Sequence, residues 1–317
     1  MKNIADLKIA TVLNVHGGTE IVKDTLDSIK TWVGNKTLVV VDGAHWDWGQ
    51  STELPAVKVQ GFYHNCPKSP YRNMTFGLMQ AARTWPKMDW YLYCEYDVLF
   101  TSSDFKEDLV QAQEENVWCM GSDYRIQSLK FPLLEAMLKT EFQDSRYLLG
   151  ACVFHSGDFI RKLVEMDFFE RFLNYTNPFP HGFFPGFDEQ GGYDFGEHLY
   201  PTLANHYGGG IKQTAVWKQG PLGNFWGGNF RRYTVRFRPE IDAVAEHYPE
   251  VSVIHPIKDY QHPIREFHRI KRQRINRIKN ERQSKFRAHN FGLRGGLKLG
   301  STNKRAVAQS GDQDAGG

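Results

Sequence analysis

The first part of the chain alternates between short apolar runs and one helical stripe. Residues 8–15 (KIATVLNV) are apolar and rich in β-branched side chains, which predicts a buried strand. Residues 20–32 place apolar side chains at helical spacing, with Thr19 as the expected helix cap. Residues 37–41 (TLVVV) predict a second strand, which ends at Asp42. A strand, a helix and a strand of these lengths indicate a right-handed parallel crossover.

The same alternation continues through the rest of the chain. Further strands are predicted at 54–60, 90–100, 116–121, 148–155, 215–217, 233–237 and 251–258. Further helices are predicted at 75–84, 104–115, 131–139, 159–172, 193–206 and 264–291. Strands that alternate with helices predict the α/β class, with a central, mostly parallel sheet flanked by helices in a single domain.

The most informative run is WYLYCEYDVLF at residues 90–100, because two carboxylates interrupt it. Glu95 and Asp97 fall at or just past the C-terminal end of a buried strand, where ligands bind in open α/β sheets. A buried carboxylate needs a cation or a metal as its partner, and hard oxygen ligands suit a divalent ion on a diphosphate. The alternative is a strand that ends in a solvated acidic turn.

Other polar residues occur where predicted strands end and helices begin. His16 is followed by two glycines, in a turn that matches neither the dinucleotide-binding nor the P-loop motif. Asp42 is suited to accept hydrogen bonds from a ribose or a base edge, or else to cap a turn. Arg72 and Asn73 stand at the predicted start of a helix, where an Arg and free N–H groups suit a phosphate or a base.

Taken in order, these elements resemble the nucleotide-sugar-binding half of the GT-A glycosyltransferases over roughly residues 9–260. Glu95 stands where that family more often has the first Asp of its Asp-x-Asp motif, and Asp97 occupies the last position. The resemblance implies a GT-A-like (Rossmann-like) fold in which the acidic strand end holds Mn²⁺ or Mg²⁺ on the diphosphate. It implies a nucleotide and donor site at Asn14, His16, Asp42, Arg72, Asn73, Glu95 and Lys258.

The predicted strand at 251–258 offers an imidazole and a lysine late in the chain. By the same resemblance, His255 completes the metal shell with Asp97 and Glu95, while Lys258 contacts the diphosphate. Manganese accepts such a mixture of oxygen and imidazole ligands. The alternative is a histidine at a strand end whose polar groups are satisfied by its neighbours.

Four carboxylates crowd together before and within the predicted helix at 193–206. They are Asp188, Glu189, Asp194 and Glu197. A transferase that moves a sugar by direct displacement needs one carboxylate to accept the proton of the acceptor hydroxyl. The resemblance to inverting GT-A enzymes implies that Asp194 is this base, with Glu189 as the second choice. The alternative is that these residues are helix caps and surface charges.

Three further segments each allow two interpretations. The aromatic loop at 178–192 either faces a ligand or packs over the core. The small residues Gly150 and Ala151 either line a sugar pocket or permit close packing of a strand. The Gly-rich loop at 220–232 either closes over a nucleotide diphosphate or forms a surface hairpin.

Charge divides the chain near residue 263. The net charge is only +3, yet ten Lys or Arg face two Glu between Arg265 and Arg287, so the remaining chain is acidic overall. We therefore expect a GT-A-like domain at 1–263, a basic amphipathic helix at 264–291 and a disordered tail at 292–317. The helix could lie on an anionic membrane, bind nucleic acid, or be a solvated helix packed on its own domain.

Two classes of function remain. The first is a metal-dependent glycosyltransferase, hexosyltransferase-like, that moves a sugar from a nucleotide-sugar donor, by family preference a UDP-sugar, to a hydroxyl of a glycan or glycolipid acceptor. The second is a non-catalytic nucleotide- or glycan-binding protein of decayed GT-A fold, or a nucleic-acid or membrane binder acting through its tail.

The sequence shows no secretory signal or apolar span, and its four cysteines are scattered. We therefore expect a cytoplasmic protein with reduced thiols, with or without contact with a membrane surface.

Overall fold

The structure is a computed structural model that describes residues 3–62, 69–127, 132–176, 195–220, 223–227, 233–235 and 251–295. The chain divides into two compact units, Met1–Arg269 and Ile270–Gly317. The first unit holds all the strands that the structure describes. In the second, the described residues continue the last helix to Gly295. The domain boundaries expected at residues 263 and 291 stay a prediction.

Eleven strands are described in the first unit. They are β1 Ile9–Val15, β2 Lys36–Val41, β3 Val57–Gln60, β4 Trp90–Glu95, β5 Leu99–Phe100, β6 Val117–Gln127, β7 Ser145–Ser156, β8 Gly210–Gly220, β9 Gly223–Gly227, β10 Tyr233–Val235 and β11 Val253–His255. The central sheet has the order β3-β2-β1-β4-β7-β6-β8. All its neighbours are parallel except β7, which runs antiparallel to both β4 and β6.

A second sheet continues from the edge of the first. It runs β8-β9-β10-β11-β5, so that β8 belongs to both sheets. Strand β9 pairs with β8 as a hairpin inside the segment expected to be a Gly-rich loop. The hairpin alternative therefore describes residues 223–227, and the described part of this segment is not a loop.

Nine α-helices are described. They are α1 Thr19–Trp32, α2 Trp46–Ser51, α3 Ser69–Thr84, α4 Phe105–Glu114, α5 Pro132–Leu138, α6 Gly157–Glu165, α7 Phe168–Thr176, α8 Phe195–His206 and α9 Pro263–Gly295, which continues into the second unit. Helices of the first unit cover both faces of the central sheet. Alternate strand residues point to opposite faces. Val12 and Val40 share a core with α3 and α6–α8, while Leu13 and Val39 share another with α1 and α4. The expected fold class, a mostly parallel sheet flanked by helices, is confirmed.

Three local expectations were wrong. Thr19 is the first residue of α1 rather than its cap, and its Oγ1 accepts a hydrogen bond from Nε1 of Trp48 at 2.8 Å. Helix α3 begins at Ser69, because Pro70 fits a first helical turn, so Arg72 and Asn73 lie inside the helix. The long helix expected at 159–172 is two helices, separated at Asp167, whose φ is 55°.

Several expectations fall outside the described residues. They concern the aromatic loop at 178–192, the carboxylates Asp188, Glu189 and Asp194, and the tail beyond residue 295. Cys94, Cys119 and Cys152 are described, and all three are free and buried, as expected for reduced thiols.

Candidate metal and nucleotide site

Strand ends bring the first group of candidate residues to one edge of the central sheet. Strands β1, β2 and β4 are parallel, and Asn14 is paired with both Val40 and Glu95. Asp42 directly follows β2, and Asp97 lies two residues beyond the end of β4. This is the edge at which ligands bind in open α/β sheets.

The second sheet brings His255 to the same place. Strand β11 pairs antiparallel with β5, which places Ile254 opposite Leu99 and Val253 opposite Phe100. Nε2 of His255 consequently lies 3.2 Å from Oδ1 of Asp97 and 3.5 Å from Oε2 of Glu95. One ligand atom from each of these three residues lies within 4.8 Å of the others.

The donor set fits a divalent cation. The Asp97 side chain is 2% exposed, His255 is 12% exposed and Glu95 is 35% exposed. Oδ1 of Asp97 is buried and faces Nε2 of His255, while Nδ1 of His255 is buried and makes no hydrogen bond within the described part of the chain. Buried carboxylates normally face a cation, so the two acidic groups of this cluster suit a positively charged ligand. Two carboxylates and an imidazole form a mixed ligand set that Mn²⁺ accepts.

The electrostatics of the cluster favour positive charge. Burial acts to raise the pKa of Asp97, but the charge of His255, its hydrogen bonding and the charge of Lys258 outweigh burial and lower that pKa. Burial acts to lower the pKa of His255, but Asp97 and Glu95 raise it to about 9. The carboxylates thus stabilise a cation at this point, whether a proton on the imidazole or a metal ion.

The other residues expected near the nucleotide lie around this edge. His16 follows β1, and its ring meets the ring of Tyr96 edge-on with centroids 4.6 Å apart. Oδ1 of Asp42 accepts a hydrogen bond from the backbone of Ala44 at 2.9 Å, so this oxygen caps the short turn at 43–45. Lys258 is exposed, and its charge reaches Asp97.

Arg72 and Asn73 hold the chain that follows β3. Oδ1 of Asn73 accepts from the backbone N–H of Phe62 at 2.6 Å, and its Nδ2 donates to the carbonyl of Phe62 at 3.3 Å. The guanidinium of Arg72 lies 4.0 Å from the centre of the Phe62 ring, and burial lowers the pKa of Arg72. The described contacts of both residues are thus with Phe62, and their binding of a nucleotide stays a prediction.

Glu197 is the one described member of the four expected carboxylates. Because β7 pairs Cys152 with Cys94, Gly150 lies beyond the end of β4, at the ligand edge. The backbone N–H of Gly150 donates to Oε1 of Glu197 in the first turn of α8. A Cβ on Gly150 would lie 3.0 Å from Cγ of Glu197, so the small residue permits close packing against this carboxylate.

Sequence reasoning missed a buried ion pair next to this site. Nη1 of Arg265, in the first turn of α9, donates to Oδ2 of Asp24 in α1 at 2.7 Å. Asp24 lies three residues after Ile21 on the buried face of α1. A charged residue on the apolar stripe of a helix was the signal that could have revealed it.

The comparisons with known proteins give only distant likenesses. No protein-family model matches the chain, and the comparison with curated proteins finds no significant match. A mannosyltransferase from Pyrobaculum calidifontis, in complex with GDP-Man and Mn²⁺, is 13% identical with a TM-score of 0.35, over 65% of this chain and 54% of that one. This chain therefore spans about half the length of that mannosyltransferase.

Two other solved structures match over most of their own length. A glycosyltransferase involved in the glycosylation of the major capsid of PBCV-1 is 10% identical with a TM-score of 0.39, over 84% of this chain and 98% of that one. A 4-diphosphocytidyl-2C-methyl-D-erythritol synthase from Anaerococcus prevotii is 11% identical with a TM-score of 0.36, over 76% and 98%. Likenesses at this distance carry no functional argument, so function has to be argued from the site.

Proposed function

We propose that this protein is a metal-dependent glycosyltransferase that moves a sugar from a nucleoside-diphosphate donor to an acceptor hydroxyl. The observation that carries the proposal is the meeting of Glu95, Asp97 and His255 at the C-terminal edge of the parallel strands. Two sequence-distant elements, the turn after β4 and the end of β11, build this cluster. A divalent ion bound there would neutralise the charge of the departing diphosphate.

The residues around the cluster have separate roles in this proposal. Asn14, His16 and Asp42 bind the nucleoside at the ends of β1 and β2, and Lys258 adds positive charge beside the diphosphate. The acceptor oxygen attacks the anomeric carbon as the bond to the diphosphate breaks. A carboxylate accepts the hydroxyl proton, and Asp194 is our first choice for this base, with Glu189 second.

The alternatives differ in what they bind and turn over. A decayed transferase would bind the nucleotide without reacting. A nucleotidyltransferase acting on sugar phosphates usually opens with a basic, Gly-rich phosphate loop, whereas the turn His16-Gly17-Gly18-Thr19 has no Lys or Arg. A uridine donor is proposed from the resemblance alone, and the test below therefore covers several bases.

The first test is thermal stability with nucleoside diphosphates and nucleotide sugars, each with Mn²⁺, Mg²⁺ or EDTA. A ligand at one hundred times its dissociation constant adds about 2.7 kcal/mol to the free energy of unfolding. We expect one nucleotide to stabilise the wild type, and to do so only when metal is present. The control variant is Asp27→Asn, which removes an exposed carboxylate of α1 and should be stabilised in the same way. Asp97→Asn should lose this shift. Stabilisation by no nucleotide would contradict the proposal, and binding without turnover would identify a decayed enzyme.

We also propose that the second unit contacts an anionic membrane surface. Its helical residues are densely basic, and Ile278 and Phe286 are exposed large apolar side chains, 40% and 68% accessible. Basic side chains attract acidic headgroups, and exposed apolar groups insert at the interface. Among the described helices, none is long and apolar enough to span a membrane.

Vesicle sedimentation tests this surface contact. The full chain should sediment with phosphatidylserine vesicles, but not with neutral phosphatidylcholine vesicles, and about 1 M salt should release it. The double variant Ile278→Ser, Phe286→Ser should bind more weakly than the wild type. Equal binding to both vesicle types would contradict the proposal, and tight binding of RNA by this helix instead would favour the nucleic-acid alternative.

A further inference from the structure

A fully buried arginine lies beside the turn that carries Asp97. The Arg265 side chain is 0% exposed, and it faces the Asp24 carboxylate, which is 1% exposed. Nε of Arg265 also donates to the carbonyl oxygen of Ile257 at 3.0 Å. A buried ion pair is weak evidence for stability, because the cost of desolvation offsets much of the attraction, so its contacts have to show what it does.

One route from this ion pair leads to both sides of Asp97. Nη1 of Arg265 lies 3.4 Å from Oγ1 of Thr25, the residue after Asp24. That hydroxyl lies 2.6 Å from the carbonyl oxygen of Tyr96 and 3.0 Å from that of Val98. Thr25 therefore contacts the carbonyl groups of Tyr96 and Val98, the two residues on either side of Asp97 in the chain.

A second route leads to the segment that carries His255. The N–H of Ile257, two residues after His255, donates to the carbonyl oxygen of Asp97 at 3.0 Å. The carbonyl of the same Ile257 accepts from Nε of Arg265. Arg265 thus fixes the chain beyond His255, and that chain in turn fixes Asp97.

We propose that Asp24, Thr25 and Arg265 position Asp97 and His255 for the divalent cation, so that the first turn of α9 is part of the metal site without supplying a ligand. The three are positioning residues, since they act on the ligands only through backbone groups. This inference rests on the proposed function. Residues that orient metal ligands typically change metal affinity by roughly 10- to 100-fold.

The Thr25 hydroxyl gives the sharpest test, because it can be removed without changing charge or size. We expect Thr25→Val to weaken Mn²⁺ binding by the full chain roughly 10- to 100-fold, measured by calorimetric titration. Thr25→Ser keeps the hydroxyl and should bind close to the wild type. Thr75→Val is the matched control, since Thr75 is equally buried and its hydroxyl accepts from Tyr200 in the opposite helical layer. It should lower Tm in EDTA and leave Mn²⁺ affinity unchanged.

A second variant tests the arginine itself. Arg265→Lys keeps a positive charge beside Asp24 but loses the planar fork that reaches Asp24 and Ile257 together, so Mn²⁺ affinity should fall roughly tenfold. If Thr25→Val lowers Tm like Thr75→Val but binds Mn²⁺ like the wild type, the positioning role is overturned while the proposed function stands. A wild type that binds no Mn²⁺ overturns both.

Discussion

Two buried histidines of this protein lie in opposite electrostatic surroundings. His255 faces the carboxylates of Asp97 and Glu95, which overcome the effect of burial and raise its pKa to about 9. His155 lies in β7, with Nδ1 3.4 Å from Sγ of Cys119, and burial lowers its pKa to about 3. One environment stabilises a cation and the other excludes it.

The comparison shows which property marks a metal site. Nε2 of His155 also makes no hydrogen bond within the described part of the chain, so a buried ring nitrogen without a partner is common to both histidines. The surroundings of His155 are aromatic, with the rings of Tyr200 and Phe159 at 5.1 Å and 6.2 Å. Two facing carboxylates, rather than burial or a missing hydrogen bond, distinguish His255.

The largest expected effect is a difference in Mn²⁺ affinity between the variants His255→Gln and His155→Gln. Loss of a direct ligand should exceed the effect of an orienting residue, so we expect His255→Gln to weaken Mn²⁺ binding at least about 100-fold. His155→Gln should leave Mn²⁺ affinity unchanged, because its ring packs in the core away from the carboxylates. Calorimetric titration of both variants checks this, and equal losses in the two would erase the distinction between the histidines.

Low pH should destabilise the protein through His155. The unfolded chain binds a proton at His155 below its ordinary pKa of 6.5, whereas the folded protein does so only near 3, so stability falls as pH drops through that window. Between about pH 7 and pH 5, this loss should be about 2 kcal/mol in the free energy of unfolding. Urea unfolding at both pH values measures this. The decrease in the free energy of unfolding should be smaller in His155→Gln than in the wild type by that amount. An unchanged pH dependence in the variant would contradict the lowered pKa.

The smallest expected effect comes from the exposed lysine beside the carboxylates. Lys258 lowers the pKa of Asp97 but is open to solvent, so its charge is screened. Lys258→Gln should weaken binding of a nucleoside diphosphate with Mn²⁺ by roughly two- to fivefold at low salt, and by less at about 0.5 M salt. Lys36→Gln, at the opposite end of β2, is the control and should have no effect. A salt-independent loss would indicate a direct structural role for Lys258.

Much of the fold could be predicted because the apolar pattern is local. The runs that became β1, β2 and β4 are buried at nearly every position, and strand ends alone sufficed to expect Glu95 and Asp97 at a ligand edge. The meeting of His255 with these carboxylates was expected only through a family resemblance. The pairing of β11 with β5 brings them together in the structure.

The missed contacts are those between residues far apart in the sequence. Arg265 pairs with Asp24 across 241 positions, and nothing in the basic stretch around Arg265 singles it out from the other Lys and Arg residues there. Asn73 binds the backbone of Phe62, because the chain that follows β3 passes beside α3. Such pairings depend on tertiary placement, which the local pattern of one sequence does not contain.

Strand β7 runs antiparallel to its neighbours, so the connections at its two ends lie at opposite edges of the sheet. Past Ser156, which caps α6, a Cβ on Gly157 would lie 2.0 Å from the carbonyl oxygen of Met88, so that turn tolerates no larger residue. The first residues of β7 instead lie on the side of the sheet where β4 ends, and the connection from β6 leads into them. Insertions accumulate in connections at the surface. Among descendants of this sequence, insertions should therefore accumulate in the connection from β6, while the glycine turn stays fixed.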